Sequence, residues 1–175
     1  VGLVEHREAA ERFGPDFLRL YPAETDAQAL DAVLRANRES NLVALRRWAE
    51  GRARHARAPT FMYLWRHTLP GPNADIYRAF HSSEAPYVFG SFSAAPHRPF
   101  SEQDRAIAST MMAYWSNFVK TGDPNGGALP HWPQASQTNS GFMELGDTMA
   151  PLPPVPAAAA VLFSAHYDRA GEFSF

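Results

Sequence analysis

Apolar and polar positions divide the chain into amphipathic helical stretches grouped around one segment that is apolar on both faces. Residues 5–21 mix charged and apolar positions in one or two short helical turns, broken by Gly14-Pro15 and closed by Tyr21-Pro22. Thr25-Asp26-Ala27-Gln28 has the form of a capping box, in which the threonine oxygen and the glutamine side chain satisfy each other's backbone donors. A helix is predicted from there to about Asn37. A second, over 40–55, sets Leu42, Leu45 and Trp48-Ala49 against Arg46, Arg47, Glu50 and Arg54.

Pro59-Thr60-Phe61-Met62-Tyr63-Leu64-Trp65 reads as a strand whose two faces, Phe61/Tyr63/Trp65 and Met62/Leu64, are both apolar. Such a strand is covered on both sides, as in the parallel sheet of an α/β protein. Leu69 to Asp75 is a proline- and glycine-bearing loop. Ser101-Glu102-Gln103-Asp104 is a helix start, with an N-cap serine and acids in the first turn. The helix it opens is expected to bury Ile107, Met111, Trp115 and Phe118 and to stop at Thr121-Gly122. Phe142 to Leu145 is a short strand, Pro151 to Pro156 a stiff extended stretch. Ala157 to about Tyr167 is a last helix that Pro156 opens. No internal repeat and no domain-scale linker precedes residue 150, so one α/β unit accounts for the whole chain.

Composition narrows the classes. With 45% hydrophobic and 13% aromatic residues, the chain is globular. A net charge of −2 with scattered arginines leaves no footprint for nucleic acid or an acidic membrane surface. Zero cysteines exclude disulfides, a thiolate nucleophile and cysteine-ligated zinc. The apolar runs fall short of the ~20 residues that span a bilayer, and Val1 to His6 lacks the pattern of a signal peptide.

One histidine stands in a setting suited to acid–base chemistry. His81 follows the doubly apolar strand and its loop, and is flanked by Ser82, Ser83 and Glu84. Loops beyond the carboxyl ends of such strands hold the sites of α/β folds, and an imidazole titrates near neutrality. Glu84 is expected to support the loop. Asp75 is a weaker partner for the imidazole and more a turn residue. The chain has no G-x-S-x-G, and Ser91 and Ser93 in Gly90-Ser91-Phe92-Ser93-Ala94 lack the second glycine of a nucleophile elbow. Histidines 6, 55, 67, 97, 131 and 166 show no metal-ligand spacing, so neither a metal nor a cofactor is expected.

The run Ala79-Phe80-His81-Ser82-Ser83-Glu84 with Tyr87-Val88-Phe89-Gly90 resembles the catalytic-histidine segment of the type-B carboxylesterases, the family of the cholinesterases and the bacterial p-nitrobenzyl-type esterases. The resemblance continues through Phe100 to Asp104 and Met112 to Asn125, which carries the family's W-x-N-F-x-x-x-G-x-P-N ending. It extends to Trp132-Pro133 and Phe142 to Gly146, and upstream to Leu20-Tyr21-Pro22 and Phe61 to Trp65. Many relatives have glycine where this chain has Ser82, and the cysteines that animal members carry near Leu162-Phe163 are missing, which suggests a bacterial-type member.

The resemblance implies the C-terminal part of an α/β-hydrolase fold, incomplete on its own. Residues 1–175 are one segment of that domain, with 1–57 mainly helical and 58–175 carrying the histidine loop and closing helices. It implies carboxylic ester hydrolysis by a Ser–His–Glu/Asp triad with His81 as general base. In α/β-hydrolases the nucleophile and acid precede the histidine. The nucleophile, the acid and the oxyanion hole are therefore expected N-terminal to this chain, which alone would be inactive. The implied partners are a small-molecule ester and that N-terminal portion, with no nucleic acid and no membrane span. Leu69, Phe80 and Phe92 are candidates for lining the substrate pocket. A non-catalytic cholinesterase-like binding or adhesion module is the alternative. A free-standing domain that joins a separate subunit is a third.

Overall fold

A computed structural model describes residues 2–136, 139 and 141–170, which form two compact units. The first takes residues up to Arg52 together with the C-terminal stretch from Pro153, and the second runs from Ala53 to Leu152.

The first unit is helical: α1 (Gly2–Phe13), α2 (Phe17–Leu20), the part of α3 (Asp26–His55) up to Arg52, and α7 (Ala157–Ala170). Helix α1 is a full three turns where the sequence suggested shorter pieces, and it ends at the expected Gly14-Pro15 break. It buries Gly2, His6, Ala9 and Phe13, one stripe at helical spacing. Glycine is required at position 2, because a Cβ there would lie 2.2 Å from the Asp26 carbonyl oxygen. Phe13, Phe17, Tyr21 and Phe163 form an aromatic core with centroid separations of 4.9 to 6.0 Å. Each such ring contributes about 1.5–3 kcal/mol by leaving water.

The capping box at Thr25 forms as expected: Gln28 Oε1 accepts from the Thr25 N–H at 3.2 Å, and Thr25 Oγ1 accepts from the Gln28 N–H at 3.3 Å. The two helices expected over 25–37 and 40–55 are one continuous helix of 30 residues. No glycine or proline interrupts Arg38-Glu39-Ser40. Both polar residues there face inward onto partners: Glu39 accepts from the Tyr21 hydroxyl at 2.6 Å, and Ser40 Oγ lies 2.8 Å from the Tyr167 hydroxyl. The polar side chains at 39–40, between the two predicted helices, make a pair of satisfied core contacts. Burial, then the hydrogen bond and charge of Glu39, push the Tyr21 phenol upward. Trp48, expected on the buried face of α3, is exposed, with the Arg52 guanidinium over its ring. Pro156 supplies the carbonyl of the first bond of α7, accepting from Ala160.

The second unit is built on a mixed sheet in the order β1-β2-β3, from β1 (Met62–Trp65), β2 (Phe142–Leu145) and β3 (Ala150–Pro151). Strands β1 and β2 are parallel, Met62 opposite Phe142 and Trp65 opposite Leu145, and β3 returns antiparallel to β2. The parallel β1–β2 pair matches the expectation; β3 adds an antiparallel edge. Helix α6 (Glu102–Thr121) packs on this sheet. It opens with the capping box that Ser101 and Asp104 make and ends at Gly122 in the left-handed region.

Helix α6 buries Ile107, Ala108, Met111 and Tyr114, so its inner face is rotated from the predicted one. Trp115 is half-buried, and Phe118 is exposed except for an edge contact with Phe61. Beyond α6, Asn125 ties the chain into a knot. Its Oδ1 accepts from the Trp132 N–H at 2.7 Å, and its Nδ2 donates to the Trp132 carbonyl at 3.0 Å. Trp132 in turn donates its indole N–H to the Met62 carbonyl of β1, at 3.0 Å. The Asn-Pro-rich ending of the motif is thereby fastened to the sheet. Among the described residues, no helix is long and apolar enough to cross a membrane.

Candidate functional site

Strand β1 delivers the chain to the site. Just past its end, Arg66 donates to the Leu145 carbonyl, and Gly146 passes so close that a Cβ there would lie 2.8 Å from the His67 nitrogen. A loop and the short helix α4 (Ala74–Tyr77) follow. Then comes a tight turn closed by the Ser83 N–H donating to the Phe80 carbonyl at 3.0 Å, with His81 and Ser82 at its centre. The short helix α5 (Ala85–Val88) begins at once.

The backbone of this stretch is strained. Among the described residues, the non-glycine positions with positive φ are Asn73 at 59°, Arg78 at 50° and Ser82 at 67°, all within ten residues that lead to and include the turn. Such conformations cost free energy and persist where surrounding contacts over-determine them, typically at functional sites. Ser82 occupies the left-handed position at which the resemblance expected glycine, so its side chain sits where a residue without a Cβ is preferred.

The imidazole of His81 is exposed, and among the described residues none hydrogen-bonds to it. Its neighbours in sequence turn inward instead. Ser83 is 1% exposed, and its Oγ accepts from the Trp65 indole N–H at 2.8 Å. Glu84 lies near the Tyr63 phenol, whose pKa is raised by burial first and then by the interaction with Glu84. Glu84 thus lies on β1, and Asp75 lies on exposed α4. Ser91 and Ser93 stand at a short 3-10 turn over Phe92–Ala94. Of the residues considered for pocket lining, Leu69 belongs to the buried core and Phe92 stacks on Phe100 at 4.1 Å. Phe80 is exposed beside the histidine, together with Ile76, Tyr77 and Phe89.

Sequence reasoning passed over a polar cluster that holds this region together. Asp104, at the third position of α6, is buried. One carboxylate oxygen accepts from the Tyr87 hydroxyl at 2.5 Å and lies 2.9 Å from His67 Nε2; the other accepts from the Ser101 N–H at 2.7 Å and its hydroxyl at 2.5 Å. Burial alone would raise its pKa. The bonds from the Ser101 hydroxyl, Tyr87, the Ser101 N–H and His67 outweigh burial and hold the carboxyl down at about 2. His67 Nδ1 faces Asp147 at 2.7 Å, and Asp147 also accepts from Gln103. Burial and then Asp104 push the Tyr87 phenol far up. The available signal was position: His67 continues the Tyr63, Trp65 face of β1, and Asp104 is a capping-box acid.

Among the described residues, no group of histidines and carboxylates could hold a metal ion. A groove of about 720 Å³ in the helical unit is lined by residues such as Arg12, Pro15, Val161 and Arg169, and one of about 380 Å³ in the second unit by Arg57, Thr60 and Gln134. The His81 turn contributes to neither.

Comparison with known proteins adds to this geometry. The family model described as "Carboxylesterase family" matches residues 4–163. Human cocaine esterase is 38% identical over 85 residues, covering 47% of this chain and 15% of the relative. Human bile salt-activated lipase is 41% identical over 110 residues, covering 58% and 14%. Bovine carboxylesterase 4A is 40% identical over 80 residues, covering 43% and 14%. The chain thus spans about one-seventh of the length of these relatives.

Proposed function

The chain belongs to the carboxylesterase family, and we propose that it supplies His81 as the general base of a serine esterase whose nucleophile, acid and oxyanion hole lie in a preceding portion of the same enzyme. The observation that carries this reading is the presentation of His81. An exposed imidazole stands at the centre of a strained turn, and the residues on its C-terminal side are anchored to β1. Strained backbone clusters at functional sites, so strain beside an accessible titratable group supports the catalytic reading.

In the proposed reaction a serine hydroxyl attacks the ester carbonyl while His81 takes its proton. The tetrahedral intermediate collapses and His81 protonates the departing alcohol, leaving an acyl-enzyme. His81 then removes a proton from water as it attacks the acyl group, and returns that proton to the serine oxygen as the second tetrahedral intermediate collapses, releasing the acid and regenerating the serine hydroxyl. Glu84 and Ser82 act on the loop and not on the ester. The substrate is a small-molecule carboxylic ester.

The test is His81→Ala in the complete enzyme, assayed on p-nitrophenyl acetate. We expect a loss of at least about a thousandfold in kcat/KM. Activity equal to that of the parent overturns the assignment; an intact enzyme with no turnover in either form favours a non-catalytic binding module. The isolated chain, lacking a nucleophile, is expected to show no turnover.

A further inference from the structure

We infer that Trp65 is a positioning residue for His81, acting through Ser83, and that one face of β1 is the template on which the histidine turn is set. The inference rests on the general-base reading of His81 and adds to it the element that fixes the base in space.

Side chains alternate across a strand, so Tyr63 and Trp65 share a face, and His67 continues it just beyond the strand's end. Each meets the segment that follows His81. Tyr63 lies near Glu84, the Trp65 indole donates to Ser83, and the Tyr87 ring lies against both Trp65 and His67, with centroids 4.8 and 5.3 Å away. Tyr87 is itself fastened to Asp104. The chain from Ser83 to Tyr87 is therefore docked at both its ends, through Ser83 and through Tyr87. His81 stands just upstream of the first, joined to it through Ser82 and through the bond from the Ser83 N–H to the Phe80 carbonyl.

The Trp65–Ser83 contact is the fixed point nearest the imidazole. The Ser83 hydroxyl is out of reach of solvent, so it has no equivalent donor if the indole N–H is removed. That contact also helps to hold Ser82 in its left-handed conformation, which relaxes if the turn is released. Loss of the contact lets the turn open and moves the imidazole relative to a serine held elsewhere. A displacement of about 1 Å costs up to a hundredfold in rate.

The experiment uses the complete enzyme and four variants, Trp65→Phe, Ser83→Ala, their combination, and Ser83→Thr. Expected are losses of about ten- to a hundredfold in kcat for Trp65→Phe and Ser83→Ala, with KM held within about twofold. The combined variant loses no more than either alone, and Ser83→Thr, which keeps the acceptor, retains kcat. Adding Ser82→Gly to Trp65→Phe restores part of the lost kcat, because the turn no longer has to resist a strained Cβ, and does so under conditions in which both variants are fully folded. If Trp65→Phe does not fold, Ser83→Ala against Ser83→Thr decides alone. A kcat within about twofold of the parent in Ser83→Ala, or losses that multiply in the combined variant, overturns the inference. His81→Ala run beside these separates the two claims. If it keeps turnover, the general-base reading falls and this one with it; if it is inactive while Ser83→Ala is unimpaired, only the positioning role falls.

Discussion

His67 and Asp104 stand 37 positions apart in the chain and 2.9 Å apart in space. The contact links the end of β1 to the first turn of α6. Through Tyr87 it reaches the short helix that follows the histidine turn, and through His67 Nδ1 it reaches Asp147 beyond β2. Three chain segments meet at one buried carboxylate and a fourth joins through His67, and the satisfied hydrogen bonds decide whether they stay together. A group so placed sets the acid limit of the unit.

Asp104 is held at about 2, below its ordinary 3.8. A carboxyl depressed in the folded state contributes stability above its unfolded pKa, and that stability drains as the pH falls through the window from about 4 to about 2. The difference amounts to about 2 kcal/mol. Urea unfolding followed between pH 6 and pH 2 should show that loss. Asp104→Asn should be destabilised by about 2–3 kcal/mol at neutral pH and show a flatter acid limb. An unchanged acid limb in Asp104→Asn would remove this carboxylate from the account.

Ser82 carries a side chain at a φ of 67°. For an L-residue the left-handed region costs roughly 1–2 kcal/mol, which glycine avoids, while the looser unfolded chain of a glycine variant takes back about half. Ser82→Gly is therefore expected to be more stable than the parent by about 0.5–1 kcal/mol. Ser82→Val, β-branched at the same φ, should be less stable by more than that. Midpoints of chemical denaturation with unchanged slopes would measure both. A Ser82→Gly variant less stable than the parent would mean that the hydroxyl makes a contact worth more than the strain.

Much of the element order was legible because its signals are local. The capping box at Thr25, the N-cap serine at Ser101, the break at Gly14-Pro15 and the stop at Gly122 each depend on a few adjacent residues, and each forms where expected. What the sequence concealed depends on distant partners. Glu39 and Ser40 lie where one predicted helix ended and the next began; Tyr21 and Tyr167, which satisfy them inside one continuous helix, are not visible locally. Trp115 and Phe118 fit an apolar stripe, but the sheet is met by Tyr114, one position round the helix. At the site, His81 was distinguished by its flanking residues and by resemblance. The anchoring of its turn on Trp65, and the His67–Asp104 link behind it, involve ordinary residues that become informative only once the chain has folded.

Asn125 gives the last prediction. Its amide both accepts from and donates to the backbone of Trp132, and its Nδ2 also donates to Asp123 Oδ1 at 2.8 Å. Asn125→Asp keeps the acceptor at nearly the same shape but loses both donor bonds, and it sets a carboxylate against the Trp132 carbonyl and the Asp123 carboxylate. The expected cost is about 2–3 kcal/mol near neutral pH, shrinking as the pH falls far enough to protonate the new carboxyl. Asn125→Ala loses the acceptor bond as well as both donor bonds but introduces no charge, so its cost should be independent of pH over that range. Because Trp132 donates to the Met62 carbonyl, the loosening should reach β1, and hydrogen exchange at β1 and β2 amides should quicken more than in the helical unit. Identical pH dependence in the aspartate and alanine variants would show that the polar match at this knot is not what holds the loop to the sheet.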